Sequence, residues 1–303
     1  YPTKCAENSN MKHRPMGIGI QGEADLMAKL RLKWNCREAN QLRFYIFERL
    51  YYECLKASID LAKISGSYDS FKGSPASKGL LQYDLWLSEG RKIPFPLTMN
   101  WDSLKRDIAE HGLRNSLFLA PMPTASTSYI MGNSPCFEPF KSLVYVRKAG
   151  TGDVAMVNEN LVKDLMSLNL WDNSLSDELL ENHGSIQDIL RIPKKLRDSY
   201  LTAYDLEPKD IIDAAYARAW FVDQSQSMNL FFKNITTSTL TKALTRGWAR
   251  GLKTLWYYCH TRKAASADKA QITKKKETKI IEKEERIPGV CYRDDPDCLA
   301  CGS

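Results

Sequence analysis

The chain has 303 residues, 43% of them hydrophobic, and a formal net charge of +7, which suits one large domain or two of ordinary size. No run of about 18 apolar residues occurs, so a membrane span is not expected, and seven Lys/Arg against five Asp/Glu in Asp268–Arg286 make the basic tail mixed charge rather than a nucleic-acid surface. Eight cysteines (5, 36, 54, 136, 259, 291, 298 and 301) are too dispersed for a secreted disulfide scaffold and fit a reducing cytoplasm.

The first residues, Tyr1 to Asn8, carry neither a signal-peptide pattern nor an initiator Met, and the chain reads as a fragment whose beginning lies elsewhere. Gly17-Ile-Gly-Ile-Gln-Gly22 opens a helical segment through Leu30. A longer helix follows, with Asn35 and Glu38 as a capping box and Leu42, Ile46, Leu50, Cys54, Ala57 and Leu61 on one face, ended by Gly66. Residues 67–100, rich in Gly, Ser and Pro, read as an irregular connection. A helix spans Asp102 to Glu110 and stops at Gly112. Ser116 to Ala120 reads as a buried strand, Pro121-Met-Pro123 as a turn, and a helix begins within Thr124–Ser128 and ends near Gly132. Leu143–Lys148 and Val154–Val157 flank a Gly150-Thr-Gly152 turn, a hairpin pattern. From Asn158 to Trp220 the pattern is mostly helical, interrupted at Gly184, Pro193 and Pro208. Gln226–Phe232 is a strand. Thr237–Leu255 is a helix with Leu240, Leu244, Trp248 and Leu252 on one face. Strands and helices alternate without a clean βαβ rhythm, which favours an α/β barrel or irregular α/β domain over a doubly wound sheet.

Four patterns bear on chemistry. Gly17-x-Gly19-x-x-Gly22 matches the dinucleotide fingerprint in letters, but Lys12-His-Arg-Pro15 before it cannot be a central strand and a helix follows it, so glycines permitting close backbone packing are expected. Pro123-Thr-Ala-Ser-Thr127 lies between a buried strand and a helix start. The first N–H groups of that helix lack internal partners and its dipole favours an anion, so the segment is a phosphate-binding candidate or an ordinary Ser/Thr cap. Tyr257-Tyr258 sits at the end of the last long helix; a redox role requires the phenols close together and shielded from water. Cys298-x-x-Cys301 is a dithiol pair on a mobile tail or half of a zinc site, for which Cys291 gives only a third ligand. His13, His111, His183 and His260 show no metal or triad spacing.

Taken in order, several stretches resemble the C-terminal half of the large, catalytic subunit of class I ribonucleotide reductases of eukaryotic or viral type. They are His13-Arg-Pro-Met-Gly-Ile-Gly-Ile-Gln-Gly22, Gly73-Ser-Pro-Ala-Ser-Lys-Gly79 with Leu81-Gln-Tyr-Asp84, Arg114-Asn-Ser116, and Ala120-Pro-Met-Pro-Thr-Ala-Ser-Thr127. Phe221-Val-Asp-Gln-Ser-Gln-Ser227, Gly251-Leu-Lys-Thr254, Tyr257-Tyr258 and Cys298-Leu-Ala-Cys-Gly-Ser303 complete the set.

The resemblance implies an α/β fold, the second half of a ten-stranded α/β barrel with added helices over 1–262. A disordered charged linker over 263–290 and a redox-active tail over 291–303 would follow. It implies radical reduction of ribonucleoside diphosphates to deoxy forms. Pro123, Thr124, Ala125, Ser126 and Thr127 would hold the substrate's diphosphate. Tyr257 and Tyr258 would relay a radical from a metal-bearing small subunit, and Cys298 and Cys301 would re-reduce the active-site disulfide and be recharged by thioredoxin or glutaredoxin. A homodimer of large subunits is implied, with no cofactor or metal bound by this part; ATP and dNTP effectors belong to the family's N-terminal part. The family's radical-bearing cysteine lies on a finger loop earlier in its chain, and none of Cys5, Cys36, Cys54 or Cys136 stands in a matching context, so the piece alone is expected to be inactive. Where relatives often carry Glu-Pro-Tyr, this chain has Glu138-Pro-Phe140, and Pro135 and Cys136 replace more polar residues. The rival readings are a non-catalytic thiol carrier or scaffold with a degenerate half-barrel, and a zinc-binding regulatory module.

Overall fold

A helix of 29 residues, α3 (Arg37–Ser65), is the spine of the molecule; it follows α1 (Lys4–His13) and α2 (Glu23–Lys29). The computed structural model describes residues 1–149 and 152–261. The period expected for α3 holds, but its phase is one residue off. Phe44, Phe47, Tyr51, Leu55, Ile59 and Ala62 are buried, whereas Leu42, Ile46, Leu50 and Cys54 are half-buried and Ala57 and Leu61 are exposed. Two charged residues, Arg43 and Glu48, lie on the buried face and conceal it from a purely apolar pattern. Glu48 is satisfied there: its carboxylate accepts from the Thr98 and Met99 N–H groups (2.8 and 3.2 Å), the Thr98 hydroxyl (2.7 Å) and the Trp101 indole (3.1 Å). The expected Asn35–Glu38 capping box does not form; Cys36 is the cap, its Sγ accepting from the Ala39 N–H at 3.3 Å.

Residues 17–22 are not helical. Met16 to Ile18 lies alongside Leu117 to Ala120 as a parallel bridge, with the Ile18 N–H donating to Phe118 O (2.8 Å) and the Ala120 N–H to Ile18 O (2.9 Å). A Cβ on Gly19 would stand 3.3 Å from Met122 N, so the glycine permits the close backbone approach expected of it. The expected strand at 116–120 is therefore present only as this bridge. The stretch 67–100 holds more structure than expected: a 3-10 turn at Ala76–Lys78 and α4 (Gln82–Ser88), where Asp84 accepts the Leu81 N–H at 2.9 Å. Next come α5 (Trp101–His111), ended by Gly112 at φ 73°, and α6 (Ala125–Met131).

The expected hairpin is present as β1 (Val144–Ala149) antiparallel to β2 (Gly152–Val157). Then follow α7 (Glu159–Ser167), α8 (Asn173–Glu181), α9 (Lys194–Ser199) and α10 (Pro208–Ala219). Pro208 opens α10 rather than interrupting a helix, since the first helical position needs no N–H partner. β3 (Met228–Phe232), α11 (Thr237–Ala249) and β4 (Trp256–Thr261) form a parallel pair with a helical crossover. α11 ends at Ala249, earlier than expected, with Gly251 at φ 71° just beyond it. Its buried residues are Ala243 and Gly247; Trp248, expected on the apolar face, is 78% exposed. Among the described residues the strands form two separate two-stranded sheets. No helix there is long and apolar enough to cross a membrane.

Three apolar clusters hold these elements: one around α3, α4 and α5, where Trp101 stacks on Phe221 with ring centroids 5.9 Å apart, one around α2, α7 and α8, and one under α10, β3 and α11.

Candidate functional site

The lead-in to Pro123–Thr127 is anchored by Asp223. Its carboxylate accepts the N–H groups of Phe118 and Leu119, both at 2.8 Å. Lys253 closes the other side, donating to Gln82 Oε1 (2.7 Å) and Val222 O (3.1 Å). Burial pushes the Asp223 carboxyl up to about 6, with the two amides and Lys253 pulling it down. Between its ordinary 3.8 and about 6 the folded chain holds a proton that the unfolded chain has lost. This group's contribution to stability is therefore full below pH 3.8 and is lost as pH rises through that window, by about 3 kcal/mol in all. A carboxyl carbon titration of Asp223 by NMR should show a midpoint near 6; a midpoint at or below 4 refutes it.

At the loop itself Thr124 precedes α6 with a positive φ of 48°, rare for a β-branched residue, and its side chain makes no capping bond to the helix. Its hydroxyl accepts the Cys136 N–H at 2.7 Å, and Cys136 is likewise left-handed, at φ 42°. Two strained residues thus hold each other, the pattern expected where a structure spends stability to fix a site. The first intrahelical bond of α6 runs from the Ser128 N–H to Thr124 O (3.0 Å), which leaves the N–H groups of residues 125–127 ahead of it. Ala125, Ser126 and Thr127 are exposed, and the Thr127 hydroxyl donates to Gln21 Oε1 at 3.0 Å.

Residues 133–138 brace this loop from behind. Asp25 accepts the Ser134 N–H, and Cys136 O accepts the Glu23 N–H at 3.4 Å. Phe137 carries the Arg218 guanidinium 4.5 Å from its ring centroid. Glu23, Arg43 and Arg218 form a buried ionic triad. The Arg43 Nε to Glu23 distance is 2.6 Å, and Arg218 Nη1 reaches both Glu23 oxygens at 3.1 and 3.2 Å. Burial pushes the Cys136 thiol up to about 12, with Glu138 adding to the effect, so it stays protonated. Phe140 packs flat against Tyr200, centroids 6.1 Å apart.

Tyr257 and Tyr258 lie in β4, not at a helix end. Adjacent residues of a regular strand point to opposite faces, yet these two rings meet edge to face with centroids 4.3 Å apart. The register explains it: Met228 pairs with Trp256 and Asn229 with Tyr258, so β4 carries Tyr257 as an extra residue, a bulge. The Tyr258 phenol is held above its ordinary value by its hydrogen bond and charge interaction with Tyr257. The rings are close, as a redox role requires, but 68% and 55% exposed in this chain. Loop and tyrosines are linked through the bracing segment: Glu138 Oε1 accepts the Asn229 N–H (2.9 Å), and Asn229 Oδ1 accepts the Tyr258 N–H (3.2 Å).

The chain matches the ribonucleotide reductase barrel domain over residues 1–258. It belongs to that family. Among similar curated proteins, the ribonucleoside-diphosphate reductase large subunit of Plasmodium falciparum is 41% identical over 99% of this chain and 40% of its own length. The large chain 2 of the Saccharomyces cerevisiae enzyme is 45% identical over 88% of this chain and 30% of its own. The Caenorhabditis elegans large subunit is 40% identical over 99% and 37%. The chain thus spans well under half the length of these relatives. Membership of an enzyme family whose fold is an α/β barrel disfavours the thiol-carrier and scaffold reading. Cys298 and Cys301, with the linker and tail expected over 263–303, lie outside the described residues. Sequence reasoning missed Asp223, Asn229, Glu138 and the Glu23–Arg43–Arg218 triad as parts of the site. Phe221-Val-Asp-Gln-Ser-Gln-Ser227 stands out as a stretch, but nothing in its letters shows that Asp223 binds the lead-in.

Proposed function

We propose that this chain is the C-terminal part of a ribonucleotide reductase large subunit, cytoplasmic, and that the whole protein reduces ribonucleoside diphosphates to deoxyribonucleoside diphosphates for DNA synthesis. It would supply the second half of a ten-stranded barrel over 1–262, to which the parallel β3–α11–β4 unit is suited, then a linker over 263–290 and a redox tail over 291–303. The whole would act as a homodimer of large subunits with a small subunit that bears the radical metal centre. Effector nucleotides would bind the upstream part.

The observation that carries this reading is the contact of Tyr257 with Tyr258, rings 4.3 Å apart on a bulged strand, in a chain of this family. With their hydroxyls brought within hydrogen-bond reach, two phenols whose rings meet in this way would pass a hydrogen atom between them: one O–H breaks as the other forms, so electron and proton leave and arrive together. In the assembled enzyme, parts beyond this chain would cover the pair and keep water from the oxidised phenol.

Pro123, Thr124, Ala125, Ser126 and Thr127 would hold the substrate's diphosphate. The N–H groups at the start of α6 would face the anion, and the small side chains would let a phosphate approach the backbone. In the full-length protein, Ser126→Ala with Thr127→Ala should weaken nucleoside diphosphate binding by about 1.5–3 kcal/mol for each hydroxyl bond lost to a charged oxygen. Isothermal titration reads this directly; unchanged affinity would reduce the loop to a helix cap.

Cys298 and Cys301 would act as the external dithiol. One thiolate attacks the active-site disulfide, the second resolves the mixed disulfide, and thioredoxin or glutaredoxin then reduces the pair. The function is tested by assaying full-length protein with small subunit and thioredoxin for deoxynucleotide formation. Cys298→Ser and Cys301→Ser should each block multiple turnover there, yet spare a single turnover and turnover driven by a small dithiol. A parent protein that forms no deoxynucleotide would overturn the whole reading; full thioredoxin-driven turnover in both variants would remove only the tail's role.

A further inference from the structure

We propose that Asn229 is a positioning residue that locks the bulge in β4 and so keeps Tyr257 against Tyr258; this rests on the relay reading above and specifies what holds the relay together. Bulges are uncommon between parallel strands, and each competes with a regular register one residue away. Here the regular alternative is simple. It would pair Asn229 with Tyr257 instead of Tyr258, and the two phenols would then point to opposite faces of the sheet.

Three contacts select the bulged register. Asn229 Oδ1 accepts the Tyr258 N–H at 3.2 Å, so a side-chain oxygen serves a main-chain donor where the ladder is disrupted. The Asn229 N–H is itself held by Glu138 Oε1 at 2.9 Å, and Glu138 is buried, so the asparagine backbone is fixed from the other side. Beyond the bulge Phe231 pairs with His260 and the two rings stack at 5.0 Å, a contact that a one-residue slip would break. Of the three, only the Asn229 amide acts on the residue that directly follows the extra one. Removing its oxygen leaves the Tyr258 N–H seeking a main-chain partner, which the regular register provides.

The test uses the full-length protein with 3-fluorotyrosine at positions 257 and 258 and reads the fluorine–fluorine Overhauser cross-peak between the rings, which needs no turnover. The same Asn229 variants without fluorine are assayed with the small subunit. Asn229→Ala should lose the cross-peak and lower kcat by about 100-fold, the scale of a small misplacement of reacting groups, while KM for the nucleoside diphosphate stays at the parent value. Asn229→Asp, which keeps an acceptor oxygen in place, should restore both. Where the Ala variant does not fold, Asn229→Leu fills the space without supplying an acceptor and is read in the same way. A cross-peak that persists in the Ala or Leu variant overturns the lock, as does its loss in Asn229→Asp. A cross-peak lost with kcat unchanged upholds the lock and refutes the relay instead.

Discussion

Replacing either Tyr257 or Tyr258 by Phe should collapse turnover with the small subunit to the assay background while leaving the fold in place. Phe keeps the ring and the edge-to-face contact at 4.3 Å but has no O–H bond to break. Because the two rings are 68% and 55% exposed, the substitutions should move stability by no more than about 0.5 kcal/mol. A structural role would therefore produce almost nothing, and a relay in series would lose everything at either position. A second readout accompanies the first. The interactions that raise the Tyr258 phenol come first from Tyr257, so in Tyr257→Phe its titration should return toward the ordinary tyrosine value. Normal deoxynucleotide formation in either Phe variant would show that the hydroxyl concerned is not in the path.

The second large effect is on stability. Glu23→Gln should cost about 3–5 kcal/mol, as expected when one partner of a buried ion pair is removed. Glu23, Arg43 and Arg218 are 3%, 0% and 1% exposed, so both guanidiniums would lose the carboxylate they share inside the protein, and Arg218 would keep only the charge of Glu138. Their neutral partners, Trp34 O and Asn40 Oδ1 for Arg43 and Gln226 Oε1 for Arg218, satisfy hydrogen bonds but not charge. Against a typical domain stability of about 5–15 kcal/mol this is a large fraction. Urea unfolding of the full-length protein checks it: the midpoint should fall with an unchanged slope. Replacing all three residues with apolar ones of similar volume should cost less than losing Glu23 alone, because the penalty comes from unpaired charge rather than lost packing. A loss below about 1 kcal/mol in Glu23→Gln would show that water or another group compensates the guanidiniums.

Much of the fold was legible in the chain because local chemistry specified it. The β1–β2 hairpin and the helix after Pro123 appear close to where turn residues place them, and Gly112 ends α5 as expected. The errors share a cause. On α3 the buried face includes Arg43 and Glu48, whose burial depends on partners at Glu23 and Thr98–Trp101, distant in sequence. α4 is hidden in a Gly- and Pro-rich stretch, though Asp84 caps it and Tyr83 and Trp86 are buried. α11 is shorter than its apolar spacing implies, because Leu252 continues that spacing after Gly251 has turned the chain.

The sequence alone determined the family, since MPTAST, the paired tyrosines and the stretches between them stand in one order along the chain, and with it the residues proposed to bind and react. It also determined most helices, because periodicity and caps are local. Only the tertiary structure decided how those residues are held. The two tyrosines share a face because β4 carries a bulge opposite β3, a matter of register between strands that no local pattern encodes. The lead-in to the loop is fixed by Asp223, about a hundred residues from Phe118 and Leu119, and the loop itself by Cys136 and by the segment braced against a triad that assembles only when α2, α3 and α10 meet. Such contacts depend on long-range packing, and so they appear only once the chain has folded.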